Sequence, residues 1–329
     1  MPEPRPLSQV LAEADVRVRE GRSYGAAVWP TGFTPLDGYL GGGLRSGELA
    51  LLGGAQGLGK TTFALQAARN LASSGHPVLY VCFEHSELQL LERLIALEAG
   101  LALGVGALTL SRVRSAALRV DPPCDDLTYR LGEAGGGAQA VRAVASYAHR
   151  LQLVCTSGAR AGVTELTDWV GSAPAEQRPA VFVDYLQKLR VPVAGLTEEE
   201  QVTVVVESLK DLALEHDVPV FAIVAADKEG MGVGRTRLRH LRGSSSLAYE
   251  SDVALLLNEK FDIVARHHLV YDLTAAERFK ALAVCSIEKN RSGLDGIDLE
   301  FRKHFDQGRF EANGDVVTEQ LLDERVFVD

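Results

Sequence analysis

Short unbroken apolar runs recur along the chain, separated by stretches whose apolar positions return every three or four residues. The runs are Leu49–Gly54, Pro77–Glu84 ("PVLYVCFE"), Leu151–Ser157, Pro179–Gln187 ("PAVFVDYLQ"), Val218–Ala226 and Ser251–Glu259. Such a run marks a parallel strand covered on both faces. Between them the spacing predicts helices from Lys60 to Ser73, ending before Gly75 and Pro77, and from Ser86 to Gly100, with Ser86 as N-cap. Further helices are expected over Thr164–Ala173 and from Thr197, which opens a T-x-x-E capping box, to about His216. Lys280–Gly293, Gly296–Arg302 and Gly308–Ala312 read as a closing antiparallel meander. Residues 101–150 are less legible, with helical pieces flanking the loop signals Asp121–Asp126 and Glu133–Ala140.

Strands alternating with helices predict an α/β fold: a mostly parallel central sheet flanked by helices, closed by a C-terminal antiparallel meander. The expected organisation is an N-terminal arm over 1–28, one domain over 29–315 and a tail over 316–329. In the arm, Leu7, Val10, Leu11 and Ala14 stand at helical spacing. They suit a short helix packing on something else, such as a neighbouring subunit, and equally a frayed terminus. Thr31–Leu49 is a turn-rich lead-in, and no internal repeat is evident.

At 329 residues, with 46% hydrophobic and 24% charged residues, the composition is that of an ordinary globular protein. No apolar run approaches the roughly 20 residues of a membrane span, and the first residues lack the apolar core of a signal peptide. Cys82, Cys124, Cys155 and Cys285 are scattered without a C-x-x-C, so neither a zinc site nor a disulfide framework is suggested, and three of them lie in apolar, strand-like runs that suit reduced, buried thiols. These features point to a cytoplasmic protein with no membrane partner. Its 34 basic and 44 acidic side chains leave a net charge of −10. That balance argues against a surface coated in nucleic acid but not against a local basic channel.

The chemistry centres on "LALLGGAQGLGKTT", Leu49–Thr62. From Gly54 it matches the phosphate loop G-x-x-x-x-G-K-[ST], between a strand and a helix as that motif requires. Gly54, Ala55, Gln56, Gly57, Leu58 and Gly59 would curl backbone N–H groups around phosphates at the positive end of a helix dipole. Lys60 would reach the β- and γ-phosphates, Thr61 would take a Mg²⁺ position, and Thr62 completes the expected nucleotide-binding set. A glycine-rich turn with an incidental lysine is the competing reading. Asp184 ends "VFVD" at the sheet edge where the phosphate loop sits, and is the candidate Mg²⁺ carboxylate; the alternative is a strand-end aspartate capping a turn. Glu84 reaches the same edge and is the candidate base, a position that equally suits a solvated glutamate. Lys289 and Arg291, two apart on a strand, share a face. They suit either charge developing on a γ-phosphate or a solvated basic strand end.

The segment Asp227–Arg242, "DKEGMGVGRTRLRHLR", sets Lys228, Arg235, Arg237, Arg239 and Arg242 against Asp227 and Glu229, a net +3 within an acidic chain. Extended, it would point Arg235, Arg237 and Arg239 to one side, a row for the phosphates of single-stranded DNA. A solvated loop, or one that binds an acidic protein, is the alternative, because the segment holds no aromatic for base stacking.

In order, "TGFTPLD", "GAQGLGKTTFALQAARNLA", "YVCFEHSELQLLERL", "VFVDYLQ", "LKDLALEHDVPV", "LRGSSSLAYESDVALLL" and "EKNRSG" resemble the motifs of the RecA-like motor domain of DnaB-type hexameric replicative helicases. They are also similar to those of the related RadA and KaiC ATPases. The resemblance covers roughly residues 28–312. It implies a RecA-like fold that uses ATP and Mg²⁺, with Lys60 and Thr61 as phosphate-loop ligands and Glu84 as catalytic glutamate. Asp184 is implied on the Mg²⁺ side with Gln187 nearby in the catalytic group, and Lys289 and Arg291 are implied to serve a neighbouring subunit's ATP. The implied assembly is a hexameric ring with ATP between subunits and single-stranded DNA in its pore. Two departures stand out: Ala225-Ala226-Asp227-Lys228 replaces the family's Ser-Gln pair, and about 28 residues precede the motor where the family has a helical domain. Those departures favour an ATP-dependent switch or assembly protein without unwinding activity, the alternative reading, whereas the basic segment favours an ATP-hydrolysing DNA helicase or translocase, which is the function expected.

Overall fold

A computed structural model describes residues 4–21, 25–119, 124, 126–156, 160–191, 193, 195–230, 232–270 and 273–323. Its strands are β1 (Val28–Trp29), β2 (Leu44–Arg45), β3 (Leu49–Gly54), β4 (Val78–Cys82), β5 (Leu151–Cys155) and β6 (Ala180–Asp184). Then come β7 (Val220–Ile223), β8 (Val253–Glu259), β9 (Leu282–Asn290), β10 (Ile297–His304), β11 (Arg309–Phe310) and β12 (Asp315–Val316). Apart from the small β1-β2 pair, they form one ten-stranded sheet in the order β11-β10-β9-β8-β3-β7-β6-β4-β5, with β12 also paired to β10. The β3 run, buried at every position, lies parallel between β7 and β8. β6 and β4 continue the parallel part to β5, and β9 to β12 are antiparallel.

Period-2 alternation divides each apolar run between two cores. Ala50, Leu52, Phe182, Phe221 and Ile223 face one, and Leu49, Leu51, Val181, Val183 and Val220 face the other. The helices are α1 (Leu7–Arg19), α2 (Thr34–Tyr39), α3 (Lys60–Ser73), α4 (Glu87–Leu103), α5 (Leu110–Ala117), α6 (Leu127–Leu131) and α7 (Gly137–Tyr147). They continue as α8 (Val163–Ser172), α9 (Glu198–His216), α10 (Ser244–Glu250), α11 (Lys260–Ile263), α12 (His267–Val270) and α13 (Leu273–Lys280). Side chains of α3, α4 and α7 fill the first core, and those of α8, α9 and α10 the second. Both expected caps form: Ser86 Oγ accepts from the Gln89 N–H and Thr197 Oγ1 from the Glu200 N–H, each answered by the partner's side chain.

Three regions add to what the sequence describes. The connection from β8 to β9 contains α11, α12 and α13, turns too short to leave a periodic signal. The expected tail is stitched into the domain as far as Asp323: Val317 N–H donates to Asp298, Leu322 N–H to Ile263, and Asp323 accepts from Arg235 N–H. Helix α1 forms, but no residue of it is buried. The expected Asp121–Asp126 loop lies mostly outside the described residues, as do Ser157 and residues 324–329 of the expected tail.

The meander is fixed to the phosphate-loop helix by aromatic packing. Phe63 of α3 stacks on Phe33 at 4.0 Å between ring centres and meets Phe301 and Phe310 edge-on at 6.0 and 5.7 Å. Gln66, one turn on, accepts from the Phe310 N–H at 2.8 Å and donates to its carbonyl at 3.0 Å. Phe63→Ala should therefore cost about 3–5 kcal/mol in denaturant unfolding. A loss below about 1 kcal/mol would mean that the cluster does not hold α3 to the meander.

Candidate functional site

Parallel strands share one direction, so the carboxyl ends of β3, β4, β6 and β7 open on one edge. A cavity of about 600 Å³ lies there. Its wall brings together Gly54, Gln56, Gly57, Gly59, Lys60, Thr61 and Thr62 with Glu84 and Asp184. Of the remaining phosphate-loop residues, Leu58 is buried beneath the loop and Ala55 packs against the first core.

The loop's shape depends on glycine. Gly54 has φ 144° and a Cβ there would lie 2.6 Å from the Leu257 carbonyl oxygen. Gly59, the left-handed N-cap of α3 at φ 83°, would drive a Cβ to 2.6 Å from the Phe305 ring. Residues there other than glycine would break the turn that aims the first N–H groups of α3 into the cavity. Lys60 Nζ donates to the carbonyls of Gly54 at 2.8 Å and Ala55 at 2.7 Å. Burial lowers its pKa, and the nearby charges of Asp184 and Glu84 oppose that shift.

Asp184 is 1% exposed. Burial, reinforced by repulsion from Glu84, pushes its pKa up to about 6, while hydrogen bonds from Thr61 and Tyr80 and the charge of Lys60 pull the other way. The Tyr80 hydroxyl donates to Asp184 Oδ2 at 3.2 Å. A hydroxyl beside a carboxylate starved of water is a hard-oxygen pair that suits Mg²⁺, which takes few protein ligands and completes its shell with phosphate oxygens and water. No group of three or more His, Cys, Asp or Glu suited to a metal occurs among the described residues. Glu84 is exposed at the mouth, able to face a water.

Several wall residues escaped the sequence reading. His85, Arg93 and Arg114 also line the cavity, and Phe305 approaches the phosphate loop at Gly59. Arg93 lies on α4 within reach of His85, at 3.5 Å. The available signal was its place two helical turns after Ser86, which returns it towards the strand end. Phe305 and Arg114 carried no signal, because their proximity depends on tertiary packing.

Other expected site residues lie outside this cavity. Lys289 Nζ donates to the carbonyls of Ala248 at 2.6 Å, Tyr249 and Ser251. Arg291 donates to the Tyr249 carbonyl and pairs with Asp252 at 3.3 Å. Both cations thus sit at the C-terminal end of α10. Gln187 accepts from the Ala225 N–H at 3.2 Å and donates to the Arg242 carbonyl at 3.4 Å, without lining the cavity.

The basic segment is not the extended row expected of it. Arg235 is buried, paired with Asp298 and bonded to Ser286 at 3.1 Å. Arg237 is engaged by Glu288 at 3.0 Å and by Asp323. Leu238–His240 turns as a 3₁₀ helix, which breaks the alternation. The acidic partners on β9, β10 and the C-terminal stretch draw two of the three arginines inward. Lys228, Arg239 and Arg242 remain exposed, Arg242 with an ion pair to Glu198 at 2.7 Å.

Residues 29–311 match the model of the DnaB-like helicase C terminal domain. The replicative DNA helicase DnaB of Treponema pallidum is 30% identical over 284 residues, covering 84% of this chain and 54% of that protein. The DNA repair protein RadA of Chlamydia trachomatis is 41% identical over 86 residues, 26% of this chain and 16% of that protein. Among solved structures, an ATPase domain superposes with a TM-score of 0.71 at 20% identity, covering 94% of this chain and 99% of that one. A DnaB-like replicative helicase studied with primase gives 0.68 at 21%, covering 94% and 67%. The chain spans about half the length of the DnaB relatives it matches. No helix among the described residues is long and apolar enough to cross a membrane.

The buried Asp184 sets a pH dependence. Its folded-state pKa, about 6, lies above the ordinary 3.8, so its contribution to stability is fully present below about pH 3.8 and is lost as pH rises through about 6. In the nucleotide-free chain, Asp184→Asn should therefore stabilise by up to about 3 kcal/mol at pH 7, and by almost nothing at pH 4. Urea unfolding of both proteins across that range reads the difference. A variant less stable than wild type at pH 7 would contradict it.

Proposed function

The chain belongs to the family of DnaB-like helicase C-terminal domains, and from that premise we propose that it is an ATP-hydrolysing motor that translocates on single-stranded DNA as a hexameric ring. The observation that carries the proposal is the meeting of the phosphate loop, Asp184 and Glu84 in one cavity at the sheet's carboxyl edge. In this reading residues 29–315 are the motor, with the following stretch to Asp323 packed onto it, and the N-terminal helix is an arm to a neighbour.

Each residue has a task. Backbone N–H groups from Gly54 to Thr62 hold the phosphates, helped by the positive end of α3. Lys60 exchanges two carbonyl oxygens for phosphate oxygens, whose full charge favours its protonated form more than the dipoles of Gly54 and Ala55 do. Thr61 and Asp184 would hold Mg²⁺, which would supply positive charge to offset that of the phosphates. Glu84, at the open side, accepts a proton from the attacking water. Lys289 and Arg291 lie outside their own cavity and face α10 carbonyls. A neighbour's γ-phosphate offers those cations a stronger partner, so the complete site forms between copies.

For DNA, Lys228, Arg239 and Arg242 supply the exposed charge, on a segment rooted at the cavity wall where Arg242 N–H donates to the Ala225 carbonyl at 3.1 Å. Single-stranded DNA should stimulate ATP turnover, and its affinity should fall with salt at a log–log slope of roughly −0.7 per phosphate contacted. Replacing Lys228, Arg239 and Arg242 by alanine should flatten that slope and abolish stimulation while basal turnover persists. Turnover indifferent to single-stranded DNA in the wild-type chain would overturn the motor reading and favour an ATP-dependent switch. Subunits carrying Arg291→Ala and others carrying Lys60→Ala, each inactive alone, should regain part of the activity on mixing. No recovery would overturn the shared site.

A further inference from the structure

The carboxyl end of β7 presents Ala225 and Ala226 to the cavity, two residues with no polar side chain. Whatever this strand senses of a bound phosphate must therefore pass through its peptide groups. Those same groups root the basic segment. Arg242 N–H donates to the Ala225 carbonyl at 3.1 Å, Ala226 forms a β-bridge with Leu241, and Asp227 N–H donates to the His240 carbonyl at 2.9 Å.

One side chain grips this root from the metal-side strand. Gln187 lies in the 3₁₀ turn Leu186–Lys188, directly after Asp184 and Tyr185. The turn is fixed by the fully buried Leu186 and by bonds from Lys188 N–H to Tyr185 at 3.1 Å and from Leu189 N–H to Leu186 at 3.0 Å. Its amide accepts from the Ala225 N–H at 3.2 Å and donates to the Arg242 carbonyl at 3.4 Å. A neutral amide carries donor and acceptor on one rigid plane, and so can hold an N–H of the cavity wall and a carbonyl of the basic segment at one spacing.

We propose that Gln187 is a positioning residue that couples the phosphate cavity to the basic segment, so that a shift of the Asp184 turn on nucleotide binding is delivered to Ala225 and Arg242 together. This rests on the motor reading above. Coupling of this kind is a free energy shared by two ligands, distinct from the affinity of either. Removing the clamp should erase the shared term and spare the separate ones.

The test is the affinity of the full chain for a fluorescent oligothymidylate, measured with Mg²⁺ and either a slowly hydrolysed ATP analogue or ADP. In the wild-type chain the two values should differ by about fivefold or more. Gln187→Leu should bring the ratio below about twofold, with the affinity for each nucleotide alone, and the melting temperature, close to wild type. Gln187→Glu, equal in size but unable to donate to the Arg242 carbonyl, should lose the ratio as well. An unchanged ratio in both variants overturns the proposal. So does a loss of nucleotide affinity in step with the ratio, which would place Gln187 in the binding of nucleotide itself. A wild-type chain that binds both ligands without coupling overturns this inference alone, whereas one that binds no oligonucleotide overturns the DNA motor beneath it.

Discussion

A carboxylate held almost out of water is the constraint around which the site is arranged. Asp184 closes an entirely apolar strand, and burial penalises its charge more than any neighbour relieves it. Thr61 and Tyr80 offer hydrogen bonds and Lys60 its charge, yet burial still pushes the carboxyl's pKa up to about 6. Lys60 is in the complementary position, a half-buried ammonium held on carbonyl oxygens. Burial outweighs the partner's charge at both groups, and both would gain from a ligand that brings anionic phosphate together with a divalent cation. The cavity is thus electrostatically incomplete in a way that a metal–triphosphate complex would satisfy. The surrounding fold keeps it so: strand direction sets the edge, and the Phe63 cluster ties α3 to the meander so that the phosphate loop cannot retreat.

The basic side chains show how an acidic protein distributes scarce positive charge. Arg235 and Arg237 are consumed by internal partners and stabilise the junction of the segment with β9, β10 and the C-terminal stretch. Lys289 and Arg291 cap α10, where cations are favoured by the negative end of the helix. What remains exposed on the segment, Lys228, Arg239 and Arg242, is sparse. A single copy would grip a polyanion weakly. Repetition around a ring would multiply these few charges without changing the overall balance of the chain.

Much of this was legible in the sequence because the governing signals are local. The apolar runs that became β3, β4, β6, β7 and β8, the glycines and Lys60 of the phosphate loop, and the capping boxes at Ser86 and Thr197 each state their role within a few residues. Asp184 and Glu84 were legible because a strand's end is also the sheet's edge. The inward turn of Arg235 was not, since its partner Asp298 is 63 residues away and charge spacing alone cannot tell a solvated row from a paired one. Arg114 and Phe305 reach the cavity through packing of elements distant in the chain. Gln187 is placed in the catalytic group by the resemblance alone; its amide bonds the Ala225 N–H and the Arg242 carbonyl, partners that no local pattern announces. Helices α11 to α13 left no pattern because each is too short to display a period.

The most direct test of the account is parallel measurement of MgATP binding and hydrolysis by the wild-type chain and by Glu84→Gln. The substitution keeps size and shape but removes the base, so binding should stay within about twofold while turnover falls at least about a hundredfold. A Glu84→Gln protein that hydrolyses ATP at the wild-type rate would contradict the assignment of this cavity as the hydrolytic centre.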